Sequence, residues 1–317
     1  MTGTRHRPEL PQPLVVGALL ALFCAYVGWR SGDFWTAANW QLLVQPMAEA
    51  GLVALGMTLV IATGGIDLSV GSIIGLSAVA AAWAAQHHAG ATGIALTALL
   101  IGGGCGACNG LLIGVLGLSP ILVTLGTMIF FGGLAVTVSA GASFAGFPDT
   151  LLHLSDADWV GVPVVFLIFI LVAVGVYLAA RYSLWGRYLL HQGQSPVAAR
   201  FSAMPIRSSL FGVYTVQGLF CGLASLLMVA RLASARADMG QALLLTAIAG
   251  VVLGGTPVMG GAATVPGTVI GIATFYVVGN GLTLLGVPTF VQTALVAGLL
   301  LFAVGLANQL RSGRTAA

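Results

Sequence analysis

The chain is 317 residues long; 58% of it is hydrophobic, only 6% is charged, and its formal net charge is +3. Soluble domains carry roughly 25% charged residues, so this composition excludes a protein that covers its own surface in water. All 11 basic residues are arginines. Without a lysine the chain cannot build the Gly-Lys-Ser/Thr phosphate loop of a nucleotide hydrolase.

The expected fold is all-α and polytopic, a single transmembrane domain over residues 1–317. A helix crossing a bilayer needs about 20 apolar residues, and the intervals between charges set out about ten of them. Residues 10–29 hold the first. Basic residues precede it, as in a signal peptide, but Tyr26-Val-Gly-Trp-Arg30 offers no small-residue cleavage site, so it reads as a membrane helix. Residues 34–66 hold the second, interrupted only by Glu49. Residues 68–148 hold three, with breaks near Gly90 and Ser119-Pro120. Residues 159–180 and 208–230 hold one each, and 239–310 hold three, broken near Thr256-Pro257 and Val287-Pro288. An even number of spans puts both termini on one side, together with Arg5, Arg7, Arg181, Arg187, Arg200, Arg207, Arg311 and Arg314. Cytoplasmic loops collect positive charge, so both termini are expected in the cytoplasm. The net charge thus reflects topology and gives no reason to expect nucleic acid.

Several stretches carry more than hydropathy. Helix 2 is expected to run inward to Gly64-Gly65, followed by Asp67-Leu-Ser69-Val-Gly71. Paired glycines and a carboxylate between two apolar runs suit a backbone that breaks yet stays hydrogen-bonded. Asp67 is expected at the cytoplasmic edge, capping the next helix at the positive end of its dipole. Glu49 lies 15 residues before Gly64, about 22 Å along a helix, where it either lines a pathway or reaches the outer interface. Gly102-Gly-Gly-Cys-Gly-Ala-Cys-Asn-Gly110 has almost no side-chain bulk, so helix 4 is expected between neighbours. Cys105 and Cys108 have redox spacing but no accompanying histidine or second pair, and read as small packing residues. His87-His88 lacks further ligands and reads as a solvated outer loop. Residues 140–160 and 233–240 are also read as outer loops. The inner loop, 181–208, carries four arginines and no acid. Ser195 can cap a short helix starting at Pro196, a compact element suited to docking on headgroups or, by its alanine content, on a partner protein. Leu253-Gly-Gly-Thr-Pro-Val-Met-Gly-Gly261 is a second glycine break. Asn109, Gln217, Asn280 and Gln292 are polar groups inside apolar runs.

Together these residues resemble the permeases of ribose-type, binding-protein-dependent sugar importers. Gly56-Met-Thr-Leu-Val-Ile-Ala-Thr-Gly-Gly-Ile-Asp-Leu-Ser-Val-Gly71 is similar to that family's signature, with Gly64, Gly65, Asp67, Ser69 and Gly71 in place. Leu122–Thr127, Gly186-Arg187, Gly193, Ala198-Ala199-Arg200, Val251–Gly255 and Gly260-Gly261 extend the likeness over about residues 33–308. Gly193–Pro196, Ser202–Pro205, Ser234–Gly240 and Ala247–Gly255 are most similar to autoinducer-2 import permeases. Leu244-Leu-Thr246 stands where most sugar permeases have Glu-Leu-Asp, so a pentose specificity does not carry over.

The resemblance implies a multi-pass protein of the bacterial inner membrane that pairs with a second permease subunit, identical or sister. A periplasmic solute-binding protein would deliver a sugar-like solute. A cytoplasmic ATP-binding subunit would dock on the inner loop near Gly186, Arg187, Gly193, Ala198, Ala199 and Arg200. ATP would be bound there; this chain would hold no cofactor or metal and carry out no catalysis. Asn109, Gln217, Asn280 and Gln292 would be the hydrogen-bonding candidates of the pathway, unless they bond helix to helix. The rival is a secondary transporter coupled to protons or sodium through Glu49 and Asp67, since intramembrane carboxylates are functional candidates. A membrane-embedded enzyme finds no nucleophile, base or metal cluster.

Overall fold

The computed structural model describes residues 12–201, 204–288 and a few positions from 290 to 298. The elements in chain order are α1 (Gln12–Arg30), α2 (Ala37–Ala62), α3 (Val70–Gln86), α4 (Ala91–Gly110, continued by one π-helical turn, Leu111–Val115) and α5 (Pro120–Ser139). They continue with α6 (Asp149–Asp156), the ribbon β1 (Asp158–Trp159) and β2 (Val162–Pro163), α7 (Val164–Tyr182), α8 (Leu184–Gln194) and α9 (Pro196–Phe201). The last three are α10 (Ile206–Leu232), α11 (Gln241–Leu253) and α12 (Val265–Leu284). Among the described residues, 7 helices are long and apolar enough to cross a membrane, and α3 and α11 are shorter apolar helices. The expected span over 288–310 and the terminal arginines fall outside the described residues, isolated positions apart.

Local chemistry places the helix ends. The Thr36 hydroxyl accepts the Asn39 amide at 3.3 Å to cap α2. Proline opens α5 at Pro120, where a missing N–H costs nothing. The region expected as a plain outer loop over 140–160 instead contains α6 and the start of the antiparallel ribbon, with Asp158 opposite Pro163. Helix α7 therefore begins at Val164, five residues later than the charge pattern suggested. The inner loop likewise contains α8 ahead of the expected short helix α9.

The helix α2 is the centre of the bundle: Leu52, Val53, Ala54, Leu55, Met57, Val60 and Ile61 are completely buried. Its hydrophobic core includes residues of α3, α7, α10 and α11. By contrast α1 and α5 keep most of their apolar surface outward, with Leu19, Leu22, Leu122 and Ile129 exposed as a lipid-facing helix requires. The glycine-rich α4 packs backbone to backbone with α10. A methyl on Gly106 would collide with the Tyr214 carbonyl oxygen, and one on Gly218 with the Gly102 carbonyl. Membrane helices gain nothing from hiding apolar surface from lipid, so this close approach supplies the dispersion contact that holds the pair.

Overpacking a tight contact costs about 1–3 kcal/mol. Gly106→Val should therefore lower the melting temperature of the purified protein in detergent. Gly104→Val should not, because a side chain there meets nothing within 4 Å. Equal melting of the two variants would refute the glycine seam.

Candidate functional site

Two interruptions of the helical backbone organise the interior. The first follows α2. Thr63 and Gly64 close the helix, Gly64 adopting φ +83° as only glycine does comfortably. Their N–H groups bond Val60 and Ile61 carbonyls at 3.1 and 2.8 Å. The chain then turns back into the protein. Gly65 is pressed against the Tyr214 hydroxyl, and a methyl there would lie 2.5 Å from that oxygen. Tyr214 is eight residues into α10, about 12 Å along the helix. Asp67 is fully buried. Its Oδ1 accepts the Ser69 N–H at 2.9 Å and the Ser69 hydroxyl at 2.6 Å. The Ser69 oxygen in turn accepts Asn109 Nδ2 at 2.8 Å, and Thr124 donates to the Ile66 carbonyl at 3.1 Å. Asp67 thus satisfies the first orphan N–H of α3 from two residues upstream of its N-cap, Ser69, whose own side chain makes no cap bond.

The second interruption follows α10. Ala233 reverses the chain with φ 49°, and Ala235 pairs both ways with Phe144 at 2.9 Å. The next residues do not stay outside, as expected, but descend along α3. A methyl on Gly75 would overlap the Ala237 carbonyl oxygen, and one on Gly240 would lie 2.5 Å from the Gly71 carbonyl and 2.6 Å from Ile74 Cβ. From Gln86 at its outer end α3 needs 15 residues, about 22 Å, to reach Gly71. The start of α11 therefore lies deep in the bundle, and α11 is a half-length helix of 13 residues. The N-termini of α3 and α11 meet side by side. Each follows an aspartate three residues ahead: Asp67 before Val70, Asp238 before Gln241.

Beside this junction lies a cavity of about 680 Å³ lined by Leu232, Ser234, Arg236, Asp238, Met239, Gln241 and Ala242. Arg236 grips Asp238 through two hydrogen bonds, Nε to Oδ1 at 2.9 Å and Nη2 to Oδ2 at 2.5 Å. Both side chains are more than half exposed. Glu49 has neither of its expected surroundings. It is almost fully buried, and both its oxygens accept Arg231 at 2.7 Å from the last turn of α10. The pair ties α2 to α10 just above the second interruption.

The four polar residues singled out in the apolar runs have partners of their own. Asn109 bonds Ser69, as above. Gln217 reaches the Val53 carbonyl at 3.4 Å, passing where Gly56 has no side chain. Asn280 and Asn39 exchange hydrogen bonds at 2.7 and 3.1 Å, joining α12 to α2. Gln292 donates to the Val287 carbonyl at 2.8 Å and to Thr283 at 3.2 Å. None of the four lines the cavity. In the sequence Arg231 gives no signal, and Arg236 and Asp238 stand out only within the segment Ser234–Gly240, because charged residues near a span end read as an ordinary loop. The signal was the repeated spacing of aspartate, small residue and helix start.

On the inner side, the Ser183 hydroxyl accepts the Gly186 amide at 3.0 Å to start α8, and Gly186 is wedged against the Ala179 and Ala180 carbonyls. Gly193 touches the Ala62 carbonyl and the Gly261 amide, while Gln194 Nε2 bonds the Gly261 carbonyl at 3.0 Å. The Gly261 amide bonds Ala62 at 2.9 Å. Thus α8 rests where α2 ends and where the chain leaves α11. Ser195 accepts the Ala198 amide at 3.3 Å to open α9. Val197 and Phe201, one turn apart, are exposed, as are Arg187 and Ala198, while Ala199 is buried. The Arg200 side chain lies outside the described atoms. Cys105 and Cys108 are unpaired thiols, and no cluster able to hold a metal occurs among the described residues.

Residues 42–304 match the family described as branched-chain amino acid transport system / permease component. The chain is 38% identical over 263 residues to the autoinducer 2 import system permease protein LsrD of Photorhabdus luminescens, covering 80% of this chain and 78% of that protein. It is 37% identical over 260 residues to the same protein of Escherichia coli (strain K12), covering 80% and 79%. No solved structure matches it.

Losing a hydrogen bond to a buried group costs about 1–3 kcal/mol. Ser69→Ala should cost about this much in stability, because it strips partners from both Asp67 and Asn109. Asp67→Asn keeps the Oδ1 acceptor and should be milder than Asp67→Ala. Thermal unfolding that finds Asp67→Asn as damaging as Asp67→Ala would show that charge, and not acceptance from Ser69, is what the site needs.

Proposed function

The chain belongs to the family of permease components of branched-chain amino acid transport systems, and from that membership we propose that it is the permease subunit of an ATP-driven importer whose cargo is autoinducer-2 or a similar small sugar-like solute. The match over residues 42–304, which takes in both backbone interruptions, carries the reading. Named relatives at 37–38% identity supply the cargo class.

In this reading the protein has ten spans in the bacterial inner membrane with both termini in the cytoplasm. It pairs with a second permease subunit and receives solute from a periplasmic binding protein. Residues 181–208 are the coupling segment. A separate ATPase docks on α9, where Val197 and Phe201 offer an exposed apolar pair, and α8 passes its movement to the ends of α2 and α11. The ion-coupled alternative loses support, since Glu49 is held by Arg231 and the bonded oxygen of Asp67 by Ser69.

Uptake into proteoliposomes holding the permease pair, ATPase and binding protein tests the function. Import should follow ATP hydrolysis and survive collapse of the proton gradient. Import that stops with the gradient and ignores ATP would refute the reading. For the docking site, a central apolar anchor contributes about 2 kcal/mol or more. Phe201→Ala should therefore weaken ATPase association roughly thirtyfold in a pull-down titration. Unchanged association would move the contact elsewhere.

A further inference from the structure

We propose that the cavity beside the α3–α11 junction is a solute-recognition site, and that Arg236 and Asp238 bind the hydroxyls of a neutral, polyhydroxylated solute there; this rests on the reading of the chain as an importer.

The segment carrying Arg236 and Asp238 leaves the outer end of α10 and runs down α3, from Ala237 at Gly75 to Gly240 at Gly71. Non-helical backbone at membrane depth persists only where it is buried in protein or lines a water-filled space. A charged side chain facing hydrocarbon is costly. Arg236 and Asp238 nevertheless expose 58% and 52% of their side chains. That exposure is to water or to a partner subunit, and a cavity with Ser234 and Gln241 also in its lining fits water entering from the outer side.

The cavity, at about 680 Å³, falls within the roughly 300–1,000 Å³ usual for small-molecule sites. The two charges cancel, so the site has no net attraction for an ion of either sign. Arg236 spends two of its five N–H donors on Asp238. The remaining donors, with the unused lone pairs of Asp238, present donors and acceptors side by side. That is the pattern a sugar hydroxyl satisfies, because each hydroxyl both donates and accepts. Ser234 and Gln241 add two more groups of this kind, and Leu232 and Met239 offer apolar surface to the C–H face of a ring.

Uptake of radiolabelled autoinducer-2 and, separately, ribose by the reconstituted importer tests the proposal. Asp238→Asn and Arg236→Gln should each lower import of the transported probe at least tenfold, with ATPase association and melting temperature unchanged. The pair is solvent-exposed, and such pairs add little to folding. As a second readout, Ser234→Cys in an otherwise cysteine-free chain should react with an impermeant thiosulfonate from outside. The same probe at millimolar concentration should slow that reaction at least threefold. Wild-type-like import by both charge variants, or labelling indifferent to the probe, would overturn the site and leave the importer reading standing. Failure of the intact importer to carry either probe would overturn the cargo reading and the site with it.

Discussion

Gly71 and Gly240 pack backbone against backbone, and the rest of the interior follows from that contact. It brings together two helices that start inside the bundle and run to opposite surfaces. Each helix start carries unsatisfied N–H groups and a partial positive charge. Two such ends can lie side by side only if nearby acceptors meet them. Asp67 supplies its oxygen at α3 through Ser69, and the Asp238 carbonyl accepts the Gln241 amide at 3.1 Å at the start of α11. Any side chain at residue 240 would push Ile74 and the Gly71 carbonyl away. The half-helix arrangement therefore depends on glycine at that point.

The few charges of the chain are placed accordingly. Glu49 and Arg231 neutralise each other between α2 and α10, which keeps a buried carboxylate from remaining unpaired. Arg236 and Asp238 neutralise each other in the open, where they meet solvent. Asp67 has neither arrangement and takes both its hydrogen bonds from one residue, Ser69. Below these groups, α8 bears on the Ala62 carbonyl and on Gly261. A displacement of α8 therefore reaches the first interruption directly through α2, and the second through the length of α11. The inner surface and the two interruptions are thus joined through α8, α2 and α11.

Much of this was legible from residues alone. Freedom from charge located the helices, and Pro120 marked the start of α5. The bulk-free run in α4 announced its burial, and the Gly64–Gly71 signature announced both the break and the family. Depth was not legible. Hydropathy treats a segment holding Arg236 and Asp238 as an external loop, and it has no means of showing that residue 237 lies against residue 75. Glu49 was ambiguous for the same reason, since its partner is 182 positions away. The inner loop showed its short capped helix, but α8 was hidden because Leu184–Gln194 mixes apolar and polar residues too evenly to stand out.

The interior rests on α11 beginning deep in the bundle beside the start of α3. Spin labels at Gln241→Cys and Gln86→Cys, in the assembled importer in lipid nanodiscs, test it through their relative accessibility to oxygen and to a polar nickel complex. A label at residue 241 should lie about 20 Å deeper than one at residue 86, from 1.5 Å per residue along α3. Equal depth for the two labels would contradict it.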